Sequence, residues 1–548
     1  MAFAGEEGGG ARKLWVFFMP FFATSHIIPI TDLACLFAGH PGVEPTIVTT
    51  PANANLIRPT LDRHAASGCH VHLLLHPFPS VDLPYAIIAD ICYWWTTDIA
   101  GELGIPRITS HAAGVFPQIV MNNLVKNRVH DNVPNDSHPF TIPDLPGPEI
   151  KMVKSELPEF LQKHDFLTQA WDDLKRSQLE SYGVVVNTFY EFEREYCDLF
   201  KVVDSQRAWF VGPLALRGKR EVEAGFNKER CMRWLEKKEI GSVVFVCFGS
   251  WCHFKDEQLR ELALGLEGSG MDFIWVVRGG DDENMKMEWM PEGWEERVKD
   301  KGLVFKGWVP QAAILGHEGV GVFMTHCGWN SVMEGLSFGK PMLTWPLAFD
   351  HFISERLLVE VLKVGVRVWD GFRSTLQNEK VVVPAEAIAR AMKKFSEKDS
   401  EEMKKRAMEW KKITGATVEK DGSSYKDLNC LIDELLMFYE KKKNDSIFEH
   451  YLQGMVILLP LCYRRVPSFG FVSLAATRGL SGVGVPPRII KVVFTCRSRE
   501  IGVMLLVLML LFTVISMLAK FSRYYLKPEN AKCTMLNIEF HNVTLKHA

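Results

Sequence analysis

Between Trp308 and His351 the sequence reads WVPQAAILGHEGVGVFMTHCGWNSVMEGLSFGKPMLTWPLAFDH, and its polar residues sit where strands end and helices begin. Gly328, Asn330 and Ser331 open a helix after the strand that ends in Thr325-His326. A helix N-terminus presents backbone N–H groups and the positive end of a dipole, so it favours a phosphate. His326 can add a donor to the same phosphates, and Trp308 offers a flat face on which a base can stack. Glu334, one turn into the helix, suits vicinal hydroxyls of a ribose, and Asp350 with His351 suits hydroxyls of a hexose. The set describes a nucleotide-sugar site. Taken singly, each residue has a plainer reading: a Trp at a strand end is usually core, and a Glu in a helix usually faces solvent. Their order at successive strand ends carries the functional reading.

Those strand ends need elements to hold them. Lys13 to Phe21 is an apolar run followed by a small-polar turn, Ala23 to His26, and a helical stretch from Pro29 to Phe37. Pro45 to Thr50, Val71 to Leu75 and Tyr85 to Ala89 read as further strands, and Phe210-Val211-Gly212-Pro213-Leu214 ends the first lobe. The alternation restarts with strands over Val243 to Phe248, Phe273 to Arg278, Leu303 to Trp308, Val320 to Thr325, Pro341 to Pro346 and Val364 to Trp369. Helical patterns such as Asp256 to Glu267 and Phe352 to Leu362 lie between them. The expected fold class is α/β: two Rossmann-like, doubly wound lobes, with ligands at the carboxyl ends of the strands. The lobes are expected over 1–215 and 216–445, leaving a tail over 446–548.

The segment His76 to Pro84 conflicts with this plan. A crossover between parallel neighbours takes a dozen residues or more, usually a helix. Either the flanking strands are not neighbours or a helical crossover is missing.

At 548 residues with 47% hydrophobic and 24% charged residues, the chain is neither disordered nor fibrous. A net charge of −3 gives no general attraction to nucleic acid. The average hides a break at about residue 445: the tail carries +8 and the remainder −11. The tail also holds Ile501 to Ala519, nineteen residues without a charge, a candidate transmembrane segment. Basic residues flank it on both sides, so it gives no orientation. The twelve cysteines form no CxxC pair, and the N-terminus lacks a signal-peptide pattern, so the main body is expected in the cytoplasm with free thiols. Asp281-Asp282-Glu283 can be read as a metal-binding cluster, but its Gly-flanked polar setting reads as a solvated loop.

The stretch Trp308 to His351 resembles, almost position for position, the 44-residue signature box of plant secondary-product glycosyltransferases that use UDP-sugars. The resemblance extends to Trp234-Leu235, to Val243–Ser250, to Val211–Leu214 and to His26-x-x-Pro29, and it stops before the tail. It implies a two-lobed GT-B fold, with the UDP-sugar held mostly by the second lobe and a small apolar hydroxylated acceptor, such as a flavonoid or terpenoid, mostly by the first. On matching positions, Trp308 would stack on uracil beside Gln311, and Glu334 would bind the ribose. His326, Gly328, Asn330, Ser331 and Ser250 would hold the diphosphate, and Trp329, Asp350 and His351 would face the sugar. The family's catalytic base matches His26 and its partner carboxylate matches Asp90. The activity implied is transfer of a hexose with inversion, without a metal or other cofactor.

Three departures accompany the resemblance. His26 and Asp90 stand closer in sequence than is usual in the family, by roughly one βα unit, and the shortfall falls at the short crossover. This raises the alternative of a UDP-sugar-binding protein with an impaired acceptor lobe. The box ends in His351, where glucosyl-transferring members usually have Gln, a change associated with galactose. The tail has no counterpart in the soluble plant family, so association with a membrane would rest on 501–519. The acceptor pocket is expected to be apolar and built from Phe116 to Asn123 and Lys151 to Lys163.

Overall fold

The computed structural model describes residues 13–75, 84–163, 166–217, 226–250, 252–277, 288–396 and 400–442, together with three strands of the tail. The first sheet contains β1 (Leu14–Met19), β2 (Val43–Thr49), β3 (His72–Leu75), β4 (Ala86–Asp90) and β5 (Arg107–His111). A two-stranded ribbon follows, β6 (Phe140–Thr141) with β7 (Lys151–Met152), and then β8 (Gly183–Val186) and β9 (Ala208–Phe210) complete the sheet. Its seven strands run parallel in the order β3-β2-β1-β4-β5-β8-β9. The second sheet holds β10 (Val243–Cys247), β11 (Asp272–Val277), β12 (Gly302–Lys306), β13 (Val320–Thr325), β14 (Met342–Thr344) and β15 (Gly365–Arg367). It is parallel too, in the order β12-β11-β10-β13-β14-β15. In both sheets the order reverses beside the first strand, and a crevice opens there at the carboxyl ends.

The sheet order resolves the conflict at the short crossover. β3 is an edge strand and β4 pairs with β1, so β3 and β4 are not neighbours. The register places Ala86 level with Val16 and Leu75 level with Thr49, so the chain must return about four residues and cross three strand spacings. That is about 20 Å, and the eleven steps from Leu75 to Ala86 reach about 36 Å when extended. Residues 76–83 themselves lie outside the described residues, as do Asp281 to Glu283.

Two features depart from the expected plan. Helix Thr24–Ala38 begins five residues earlier than the pattern from Pro29 suggested and takes in Thr24, Ser25 and His26 as its first turn. Pro29, the sixth residue of the helix, has no N–H to give the Ser25 carbonyl, and that carbonyl accepts from Asn330 Nδ2 at 2.6 Å instead. The helix over 423–442, expected in the second lobe, packs on the first instead. Its Leu428, Leu431, Ile432, Leu435 and Tyr439 join Val16, Phe18, Ile30 and Phe37 in one buried cluster. The i, i+3, i+4, i+7 spacing of those residues puts them on one stripe.

The lobes share a core. Val115, Phe116, Ile119 and Val120 of helix Val115–Asn127 pack in one cluster with Trp329, Val332, Met333 and Leu336 of helix Trp329–Ser337. Charges reinforce the junction: Glu156 of the first lobe meets Arg356 and Arg373 of the second, and Arg373 also reaches Glu355. All are largely buried, so each partner offsets the desolvation of the next.

In the tail, Phe469–Ala476 pairs antiparallel with Ile490–Cys496, which pairs parallel with Leu536–Phe540. Among the described residues no helix is long and apolar enough to cross a membrane. Residues 501–519 lie outside them.

Candidate active site

A cavity of about 890 Å³ lies between the carboxyl ends of the two sheets. It is lined by twelve of the thirteen residues singled out from the sequence, and the thirteenth, Asp90, touches it through His26. None of its described lining residues is Lys or Arg.

On the first-lobe side, His26 sits in the first turn of its helix and Asp90 closes β4. Because β4 pairs directly with β1, the two chain segments that end in these residues are brought side by side. His26 Nδ1 lies 2.7 Å from Asp90 Oδ2, and the Cys92 backbone N–H donates to Asp90 Oδ1 at 2.9 Å. Asp90 is almost fully buried, so its carboxylate has few competitors for the imidazole. An Nδ1–H donated to Asp90 leaves Nε2 as an acceptor, the tautomer that a general base needs.

On the second-lobe side, Gly328 caps helix Trp329–Ser337, whose first turn carries no acidic residue. With no Lys or Arg among the described lining residues, the N-terminus of this helix is the main positive potential on that side of the cavity. Ser250 follows β10 at an exposed turn. Gly249 beside it has φ +70°, and a Cβ there would lie 2.7 Å from His326 Nε2, so only glycine brings this turn so close to His326. Burial pushes the His326 imidazole down to about 4, so the ring is neutral at pH 7. Its Nδ1 is buried and has no partner among the described residues.

Gln311 Nε2 donates to Glu334 Oε2 at 2.8 Å and to Ser331 Oγ at 3.2 Å. Glu334 is therefore buried and already oriented, not a solvated helix residue. Trp308 is 56% exposed at the far end of the same wall, a large apolar face turned toward the cavity. Its exposure answers the plainer reading of that residue as core.

Two residues of the signature box do something other than expected. The Trp329 indole, expected to face the sugar, is buried at the lobe junction, donates from Nε1 to the Asn187 carbonyl at 2.8 Å and packs 5.8 Å from Phe192. Gly114 makes room for it, since a Cβ there would lie 2.0 Å from the indole. Asn330 likewise reaches across, donating to the Ser25 carbonyl at 2.6 Å and accepting from Asn187 Nδ2 at 3.1 Å.

Asn187, just after β8, was not found from the sequence. It ties Trp329, Asn330 and, through Oδ1, the Leu214 N–H at 3.0 Å. Asn187→Ala would untie the lobes next to the dyad. We expect kcat to fall about tenfold, with a Tm lowered by a few degrees, from the loss of two side-chain hydrogen bonds of about 1 kcal/mol each. Unchanged kcat with lowered Tm would assign Asn187 to stability alone.

Asp350 caps helix His351–Arg356, and its Oδ2 is buried without a partner among the described residues. Burial pushes its carboxyl up from 3.8 to about 6, partly opposed by its own backbone N–H and by His26. The folded protein thus holds this proton more tightly than the unfolded chain, and the associated stability is lost as pH rises from about 4 through about 6. Hydroxyl donors favour the ionised form, so sugar binding should release the proton. KM for the UDP-sugar is expected to fall between pH 5 and 7 in the wild type and to stay flat in Asp350→Asn. His351 accepts from the Ala348 N–H at Nδ1, 3.2 Å away, and stacks edge-on against His326 at 4.8 Å. Its neutral form therefore carries the proton on Nε2, a donor like the amide of a glutamine.

The acceptor wall comes from elsewhere than expected. Phe116 to Asn123 are buried in the lobe junction, and Lys151 to Lys163 do not line the cavity. Phe21, Ile91, Trp171, Leu174 and Phe349 do, together with His111, which burial holds well below the usual imidazole range. The wall is apolar, as predicted, and the formed dyad gives no support to an impaired first lobe.

Residues 232–361 match the family model described as UDP-glucoronosyl and UDP-glucosyl transferase. The anthocyanin 3'-O-beta-glucosyltransferase of Gentiana triflora is 37% identical, the alignment spanning 77% of this chain and 98% of that enzyme. The abscisate beta-glucosyltransferase of Phaseolus angularis is 36% identical over 77% of this chain and 96% of its own. Among solved structures, Glycyrrhiza uralensis UGT73P12 complexed with glycyrrhetinic acid 3-O-monoglucuronide superposes with a TM-score of 0.73 at 32% identity, covering 81% of this chain and all of that one. Medicago truncatula UGT71G1 complexed with UDP-glucose gives 0.66 at 26% identity, covering 77% and 98%. Fold and site define a GT-B glycosyltransferase. The chain belongs to the plant UDP-glycosyltransferase family and is an enzyme that uses a UDP-sugar donor and a small-molecule acceptor.

Proposed function

We propose that this enzyme transfers glucose from UDP-glucose, with galactose as the competing sugar, to a hydroxyl of a small apolar metabolite of the flavonoid or terpenoid type. The observation that carries the reading is the His26–Asp90 pair, 2.7 Å apart, standing between the apolar wall and the helix N-terminus in one cavity. His26 Nε2 takes the proton from the acceptor hydroxyl while Asp90 holds Nδ1–H and compensates the imidazolium. The acceptor oxygen attacks the anomeric carbon from the face opposite UDP, which inverts an α-linked donor to a β-glycoside. Negative charge grows on the leaving diphosphate and is met by the N–H groups of helix Trp329–Ser337, Ser331 and neutral His326. The chemistry as written needs no metal. The relatives named above act on an anthocyanin and on abscisate, both compact ring systems that an apolar wall of this kind would suit. Nine described cysteines are free thiols, which fits a cytoplasmic enzyme.

The test is UDP release from UDP-glucose and UDP-galactose against a panel of flavonoid and terpenoid alcohols. The expected result is turnover with at least one acceptor and a preference for glucose. Binding of UDP-glucose without turnover across the panel would overturn the proposal.

A further inference from the structure

The Cys92 thiol stands beside the dyad and, unlike its backbone N–H, has no part in the transfer chemistry. One ring nitrogen of His26, an Asp90 carboxylate oxygen and Cys92 Sγ all lie within 4.8 Å of one another, and the nitrogen turned to Asp90 Oδ2, 2.7 Å away, is Nδ1. A tetrahedral zinc ion holds such atoms about 3.3–3.8 Å apart, given bond lengths of about 2.0–2.3 Å. To hold an ion, the widest pair has to close by at most about 1 Å and the His26 Nδ1–Asp90 Oδ2 pair, now at 2.7 Å, has to open by about 0.6 Å. We propose that His26, Asp90 and Cys92 form an inhibitory site for Zn²⁺, a borderline-soft cation that takes this mixed donor set, as Mg²⁺ does not.

The proton balance explains why such an ion inhibits. In the free enzyme Cys92 is a free thiol and carries its proton. Zn²⁺ displaces that proton to solvent and binds the thiolate. At His26 it needs the Nδ1 lone pair, so the imidazole proton moves from Nδ1 to Nε2. Nε2 is then an N–H and cannot accept the proton of an acceptor hydroxyl. The ion occupies Nδ1, Asp90 and Cys92, on the side of the imidazole away from Nε2. It therefore lowers kcat without competing with the UDP-sugar. Only this effect on turnover rests on His26 as the base; the binding of the ion does not.

The experiment uses the full chain, with Zn²⁺ titrated in a metal buffer at saturating donor and acceptor. Each protein is compared with its own metal-free rate, and Mg²⁺ is the control. Wild type should lose turnover in a manner a chelator reverses, non-competitive with UDP-glucose. Cys92→Ala and Cys92→Ser should need at least about tenfold more Zn²⁺ for the same inhibition, as loss of a direct ligand exceeds loss of an outer-shell partner. Independently of turnover, Co²⁺ should give wild type a thiolate-to-metal charge-transfer band that Cys92→Ser and His26→Ala lose or shift. Equal inhibition of wild type and both Cys92 variants, no inhibition of wild type, or bound Co²⁺ without the band would overturn the site. If Cys92→Ala fails to fold, Cys92→Ser and the wild-type spectrum still decide.

Discussion

Replacing His26 by alanine is expected to lower kcat by about 10²–10⁴-fold, the range that a positioned general base contributes. UDP-glucose affinity should hold within about twofold, because the donor contacts lie on the other lobe. Asp90→Asn separates the two halves of this effect. Asparagine keeps the volume of a buried residue and can still accept from the Cys92 N–H. It cannot offset an imidazolium charge, and its amide N–H can turn toward Nδ1 and favour the tautomer with the proton on Nε2. Its kcat loss should approach that of His26→Ala, and the two together should cost little more than either alone, since they act as a unit. Additive losses would show that Asp90 acts through something other than His26. The measurement is steady-state UDP release at saturating donor and acceptor, beside a binding titration with UDP-glucose.

Much of this site was legible because its residues are tied to strand ends. Trp308, His326, Glu334 and Asp350 follow apolar runs of strand length, and in a doubly wound sheet that position fixes which end of the sheet they occupy. The two-lobe α/β architecture was readable for the same reason. The residues missed were those whose role is set by contacts distant in sequence. Asn187 bonds to residues 142 and 143 positions away, and nothing in its neighbourhood announces it. Trp329 was placed on the sugar because it sits in a functional motif, but its indole fills the space that Gly114 leaves on the opposite lobe. The helix over 423–442 was assigned by chain order, whereas its apolar stripe matches the first core. The acceptor wall was the least legible part, because Phe21, Ile91, Trp171 and Phe349 come from four separate segments. The apparent gap between β3 and β4 illustrates a different limit: crossover length predicts a conflict only if strands adjacent in sequence are adjacent in the sheet, and here they are not.

The largest effect expected on donor binding is at Glu334. Its buried carboxylate accepts from Gln311 Nε2 at 2.8 Å, about one turn in from the N-terminus of helix Trp329–Ser337. Two hydroxyls of a ribose donating to it would contribute about 1.5–3 kcal/mol each as charge-assisted bonds. Glu334→Ala should therefore raise KM for UDP-glucose by about 10²–10⁴-fold with a smaller change in kcat. That number alone does not distinguish recognition from damage, since the variant also leaves the Gln311 amide without its acceptor. A donor lacking one ribose hydroxyl makes the distinction. If Glu334 grips the ribose, wild type should bind that donor about tenfold or more weakly than UDP-glucose, and Glu334→Ala should bind the two alike. If Glu334 only orders the helix, the missing hydroxyl should weaken both proteins by the same factor. The coupling in this cycle, about 1.5 kcal/mol or more in the first case and zero in the second, reads the contact itself and not the stability of the fold around it.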